Sequence, residues 1–127
     1  MKIIYIAGPL TSNAPTEQPA RREFIANNVK KAESYQIALA NAGIGCFCSH
    51  THTTDHHIKG STASEEYYYE LGLEFLKRCC DAVLAMPGWE QSRGSQMEIT
   101  LAKDNNLPIF YPGSPDDIEE IINWANN

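Results

Sequence analysis

Apolar residues recur along the chain in two alternating rhythms. Ile3-Ile4-Tyr5-Ile6-Ala7, Ile44-Gly45-Cys46-Phe47-Cys48, Asp81-Ala82-Val83-Leu84-Ala85-Met86 and residues 107–111 are short, nearly continuous runs, the pattern of strands buried on both faces. Between them the spacing turns helical. Residues 21–42 carry Phe24, Ile25, Val29, Ala32, Ile37, Ala38 and Ala42 at helical intervals and stop at Gly43, a residue suited to ending a helix. Residues 65–80, with Tyr68, Leu71, Phe75 and Leu76 as their apolar stripe, and residues 95–105 and 115–125 read as further helices. No hairpin signal interrupts the alternation. The pattern predicts one α/β domain over residues 1–127, a doubly wound, mostly parallel sheet of four to five strands flanked by helices, Rossmann-like or flavodoxin-like. In such sheets ligands bind beyond the carboxyl ends of the strands. The loops after Ala7, Cys48 and Met86 are therefore the places where function is expected.

Composition narrows the function classes. A net charge of −6 leaves no basic excess for a polyphosphate backbone, so nucleic acid is not an expected partner. Met1-Lys2 leads straight into a five-residue apolar run, and no run approaches the ~20 residues of a membrane span, so a soluble, cytoplasmic protein with no membrane partner is expected. Cys46, Cys48, Cys79 and Cys80 form no C-x-x-C pair and are expected to be reduced and mostly buried.

The richest segment is Pro87-Gly88-Trp89-Glu90-Gln91-Ser92-Arg93-Gly94-Ser95-Gln96-Met97-Glu98, between a strand and a helix. A loop with Gly88 and Gly94 that feeds a helix presents free backbone N–H groups to an anion or a sugar hydroxyl. Glu98, expected in or near the first helical turn, would be held ionised by the helix dipole. An ionised carboxylate there can act as a nucleophile or stabilise an oxocarbenium-like transition state. The plain alternative is a glutamate that only caps its helix.

The opening MKIIYIAGPL and the later DAVLAMPGWEQSRGSQMEITLAKDNNLPIF resemble the nucleoside 2-deoxyribosyltransferase-like superfamily, in particular its small branch with AGP and PGW-x-x-S-x-G signatures, similar to the nucleoside 5′-monophosphate N-glycosidases. The likeness spans nearly the whole chain. It implies that Glu98, after Gly94, attacks the anomeric carbon and that Tyr5 aligns it. It also implies a substrate site at the Gly8-Pro9 turn and at the loop of Gly88, Trp89, Ser92 and Gly94, and a homodimer whose second subunit helps to cover the sugar. Ser92 stands where the deoxyribosyltransferases proper have an aspartate and the monophosphate N-glycosidases a serine. A hydroxyl accepts a phosphate that a carboxylate would repel.

One position departs from this pattern. The superfamily's acid, eight residues before the strand aspartate (here Asp81), falls on Leu73. Glu70, on the same helical face, is the candidate substitute, with Glu74 beside it; solvated helix charges are the alternative for both. Trp89 is expected to shield the site, Trp124 to pack or to serve a dimer, and Asp81 to be structural at the amino end of the sheet. Residues 49–64 hold all four histidines. His50 and His52 are read as base contacts. Cys46, Cys48, His50 and His52 at period two, with His56-His57 behind, raise a zinc site as a lesser alternative, although the spacing matches no usual zinc motif.

The expectation is therefore an enzyme that needs no cofactor and cleaves the N-glycosidic bond of a (deoxy)nucleoside 5′-monophosphate through its glutamate, with a small-molecule nucleoside or nucleotide as partner rather than a macromolecule. The alternatives are base exchange by a deoxyribosyltransferase and a catalytically silent nucleotide-binding module.

Overall fold

The computed structural model describes residues 1–56 and 59–127; His57, named above with the zinc alternative, lies outside the described residues. Four strands, β1 (Ile3–Ala7), β2 (Gly45–Cys48), β3 (Ala82–Ala85) and β4 (Ile109–Phe110), form one sheet in the order β2-β1-β3-β4. Every pairing is parallel. The fold class is the expected α/β one, Rossmann-like or flavodoxin-like, with four strands. The chain leaves β1 towards β2 and later returns to pair β3 on the other side of β1. The strand order therefore switches direction at β1 and β3, which opens a crevice at their carboxyl ends.

Residue alternation along β1 sorts the core into two layers. Ile4 and Ile6 pack with Ala32, Tyr35 and Leu39 of helix α1 (Ala20–Asn41) and Ile121 of α5 (Glu119–Ala125). Tyr5 and Ala7 face the other way, onto Leu76 of α3 (Glu65–Cys79) and Ile99 and Ala102 of α4 (Arg93–Asp104). Helices thus cover both faces, and Tyr5 is committed to the α3–α4 side by the pleat. At the amino end, the Asp81 carboxylate accepts a hydrogen bond from the Ile3 N–H at 2.8 Å, the structural role expected of it. Trp124 packs on Phe110 with ring centroids 5.6 Å apart, and Lys2 lies 4.7 Å from its ring centroid. None of the described helices is long and apolar enough to cross a membrane.

Two local differences from the sequence pattern matter for the site. The polar stretch after β2 does not begin as a loop: Ser49–Thr53 forms a short helix, α2. α4 starts at Arg93 rather than Ser95, because the Ser92 hydroxyl caps it by accepting from the Ser95 N–H at 3.2 Å. Of the cysteines, all free, Cys48 and Cys80 are buried, Cys46 is half-buried and Cys79 is exposed.

Candidate functional site

A cleft of about 1040 Å³ opens at the carboxyl ends of the strands. Tyr5, Gly8, Ser49 and His50 come from the ends of β1 and β2, and Ser92, Gly94, Ser95 and Glu98 from the start of α4. The far walls are the first turns of α1, with Arg21 and Arg22, and the α3 face of Tyr68, Tyr69 and Leu73. A hydrogen bond from Asn13 Nδ2 to Gln91 Oε1, 3.0 Å, ties the loop before α1 to the loop before α4 and closes the rim.

Glu98 is brought into this cleft by helical spacing. Ser95, Glu98, Ile99 and Ala102 lie on one face of α4, directed at the sheet, so a stripe that is apolar further along presents a hydroxyl and a carboxyl at its start. The extra helical residues place Glu98 in the second turn, beyond the main reach of the helix dipole. The sequence-based expectation of a carboxylate kept ionised by that dipole is thereby corrected. What exposure the residue retains opens into the cleft; desolvation there raises its pKa to about 8, opposed only by a hydrogen-bonding interaction with Tyr5. At neutral pH Glu98 in the folded protein is mostly the protonated acid.

This shift has a consequence for stability. An unfolded glutamate gives up its proton near 4.5, whereas folded Glu98 keeps it to about 8. Between those values the folded state binds more protons, so stability is greatest below the lower one and falls as pH rises through the window. The expected loss is on the order of a few kcal/mol. Denaturant unfolding at pH 5 and pH 8.5 should show it, and Glu98→Gln should flatten the difference. An equally steep decline in that variant would assign it to other groups.

Tyr5 is fully buried, and its hydroxyl proton is held tightly, first by burial and then by the neighbouring Glu98 carboxyl. Ser49 acts in the opposite sense by hydrogen bonding to the phenol oxygen. These groups are close enough to shift one another's proton affinities, yet the Tyr5 hydroxyl makes no hydrogen bond of standard length and angle. His50 is also buried; its Nε2 lies 3.0 Å from the Pro9 carbonyl oxygen. A carbonyl only accepts, so Nε2 carries the proton and Nδ1 presents a bare lone pair. Burial lowers the His50 pKa, which keeps the ring neutral and this arrangement fixed. Nδ1 has no partner, and neither does Ser95 Oγ.

Tyr5 Oη, His50 Nδ1 and Ser95 Oγ are the buried, unpartnered side-chain polar atoms among the described residues, and all three belong to residues that line this cleft. Buried polar atoms without partners are costly, about 1–3 kcal/mol each. Their convergence on one cleft is the mark of a site shaped for a polar ligand.

Other expected site residues stand elsewhere. Pro9 and Gly88 sit beside the cleft rather than in it: Gly88 has a left-handed backbone (φ 89°), and a Cβ there would lie 3.4 Å from the Pro9 ring. His52 turns away because the chain becomes helical after Cys48, which breaks the period-two alignment with His50. It packs instead on Phe47 and Phe75, with centroids 5.5 and 5.7 Å away. The same turn separates the four residues of the zinc alternative, and no group of three metal-ligating side chains occurs among the described residues. Trp89 does not cover the cleft; it packs against Tyr111, 6.0 Å between centroids, and the sheet core. Glu70 is exposed and outside the cleft, whereas Leu73 lines it.

Arg21, Arg22, Ser49 and Ser95 were not singled out from the sequence. Two arginines in the first turn of a helix, where the dipole disfavours cations, were the available signal for the first pair. A serine in a core-facing stripe was the signal for Ser95.

The family model described as Domain of unknown function (DUF4406) matches residues 2–111. The chain belongs to that family. The DUF4406 match runs from the start of the sheet through its last strand and takes in every residue of the cleft. None of the curated proteins matches the chain.

Proposed function

We propose that the chain is an enzyme that cleaves the N-glycosidic bond of a nucleotide, of the class of 2′-deoxynucleoside 5′-monophosphates. The observation that carries this reading is the juxtaposition of Glu98 and the Tyr5 hydroxyl in a cleft whose lining also includes His50 and Ser95, with His50 Nδ1 and Ser95 Oγ buried and unpartnered. It is supported by the likeness to the nucleoside 2-deoxyribosyltransferase-like proteins read from the AGP and PGW-x-x-S-x-G segments.

In the reaction, ionised Glu98 attacks C1′ while the C1′–N bond breaks and its electron pair leaves with the base. Tyr5 donates to the attacking carboxylate and fixes its direction. The base takes a proton from solvent, because Leu73 offers none. Water then attacks C1′, releases Glu98 and gives its proton to bulk water, yielding a hydrolase; a second base at that step makes the enzyme a transferase. The Ser92 hydroxyl, whose oxygen lone pair serves the Ser95 N–H, keeps its own proton for a phosphate oxygen, beside the free N–H groups of Arg93 and Gly94.

Chromatography of ribo- and deoxynucleoside 5′-monophosphates and the matching nucleosides, incubated with and without an acceptor base, tests the reading. Base release from the monophosphates is expected. Exchange without net release would replace the hydrolase by a transferase. A second reading, a nucleotide-binding module without turnover, is favoured by the position of Leu73 in the cleft; binding with neither release nor exchange would establish it over the first.

A further inference from the structure

The cleft carries a second cationic end that a monophosphate site does not use. Arg21 and Arg22 line it from the first turn of α1, and neither forms an ion pair among the described residues. Among the described residues the Arg21 guanidinium makes one hydrogen bond, a long one of 3.4 Å to the Pro15 carbonyl oxygen. Arg93 differs: it is 3.4 Å from the Glu66 carboxylate and lies over the Tyr69 ring.

The acids that line the cleft, Asp55, Glu65 and Glu98, are directed to groups other than these arginines. Asp55 faces Lys59 at 3.8 Å, Glu65 accepts from the Tyr69 hydroxyl at 2.5 Å, and Glu98 holds its proton to about 8. Glu23 stands in the same helical turn, yet no acid among the described residues forms an ion pair with either arginine. Two guanidinium groups without an ion-pair partner, lining the cleft, fit an anion that arrives with the ligand.

The other anion-accepting end is the start of α4, where Ser95 Oγ is buried and unpartnered. The Asn13–Gln91 hydrogen bond joins the two ends at one rim. The cleft, at about 1040 Å³, is at the top of the roughly 300–1,000 Å³ that small-ligand sites span.

We infer that the cleft takes a nucleotide with a further anionic group beyond its first phosphate, of the class of nucleoside diphosphates, with Arg21 and Arg22 as the distal anion subsite. This rests on the nucleotide reading proposed above. The first phosphate lies at the start of α4, and the second reaches towards α1, where planar guanidinium groups can hold it through paired hydrogen bonds.

Calorimetric titration of the full chain carrying Glu98→Gln, which prevents turnover, tests the assignment with ribo- and deoxynucleoside monophosphates and diphosphates. The diphosphates should bind at least tenfold more tightly than the monophosphates. Adding Arg21→Ala and Arg22→Ala together should erase that preference, with circular dichroism confirming the fold. Equal affinities in the parent, or a tenfold preference kept by the arginine variant, would overturn the distal subsite and leave the nucleotide reading standing. Binding of no nucleotide of either class would overturn both.

Discussion

Glu98→Gln should abolish base release, lowering kcat/KM by about 10³-fold or more, while making the protein more stable at pH 7 than the parent. Both halves follow from the same geometry. An amide cannot attack C1′ or form the glycosyl-enzyme, so the reaction loses its first step. Yet at pH 7 folding of the parent must take up a proton that the unfolded glutamate has lost, because desolvation holds the folded pKa at about 8, whereas the amide, close to an isostere of that neutral carboxyl, carries no such cost. The pH profile of the parent should carry the same signature. Only the ionised form is a nucleophile, so kcat/KM in the free site should rise about tenfold per unit of pH below about 8 and level off above. A profile that instead falls above that point would make Glu98 an acid that donates its proton, and a variant that keeps its activity would remove the residue from the chemistry altogether.

The fold was legible because its signals are local and repeated. Each strand is a short apolar run between helical segments, and the alternation leaves little choice but a parallel sheet. The position of Glu98 in the cleft was legible too, since the loop and helix that carry it are contiguous in the sequence. Its proton affinity was not. Moving the helix start from Ser95 to Arg93, through the Ser92 cap, takes Glu98 out of the first turn, and burial against the rest of the fold raises its pKa. Pattern reading places helix ends only to within a residue or two, and it reports nothing of the tertiary burial that sets the shift.

The histidines illustrate a second limit. A period-two reading of residues 46–52 holds only while the chain stays extended, and the chain turns helical at Ser49. His50 then enters the cleft and His52 leaves it. Trp89 failed as cover for a related reason: an aromatic residue in a site loop has a core to bury itself in, and the apolar contact with Tyr111 and the sheet outweighs shielding an open cleft. Arg21, Arg22 and Ser49 reach the site through tertiary contact from elements far apart in the sequence, which no local pattern reports.

Gly72→Ala should be the most damaging small substitution in the helix that walls the site, and its effect should vanish when Tyr5 is changed to phenylalanine. In an exposed helix this replacement would stabilise by about 1 kcal/mol, because alanine is the better helix former. Here Gly72 is buried in the middle of α3, and a Cβ would stand 2.7 Å from Tyr5 Oη and 3.7 Å from Glu98 Oε2. The first distance is a clash. Tyr5 has no room to yield, being fully buried in β1 with its ring 5.7 Å from that of Phe47. Overpacking of this kind costs about 1–3 kcal/mol, enough to cancel or exceed the helical gain. The hydroxyl can be relieved only by moving away from Glu98, so kcat/KM should fall about tenfold or more even in the folded fraction. Tyr5→Phe removes the obstructing oxygen, which makes no hydrogen bond of standard length and angle, and should therefore cost little stability while lowering activity. In that background Gly72→Ala should raise the unfolding free energy by about 1 kcal/mol and reduce the remaining activity no further. Thermal and denaturant unfolding of the four proteins, with kcat/KM for each, complete the cycle. Strict additivity of the two substitutions would show that Gly72 does not hold the Tyr5 hydroxyl in place.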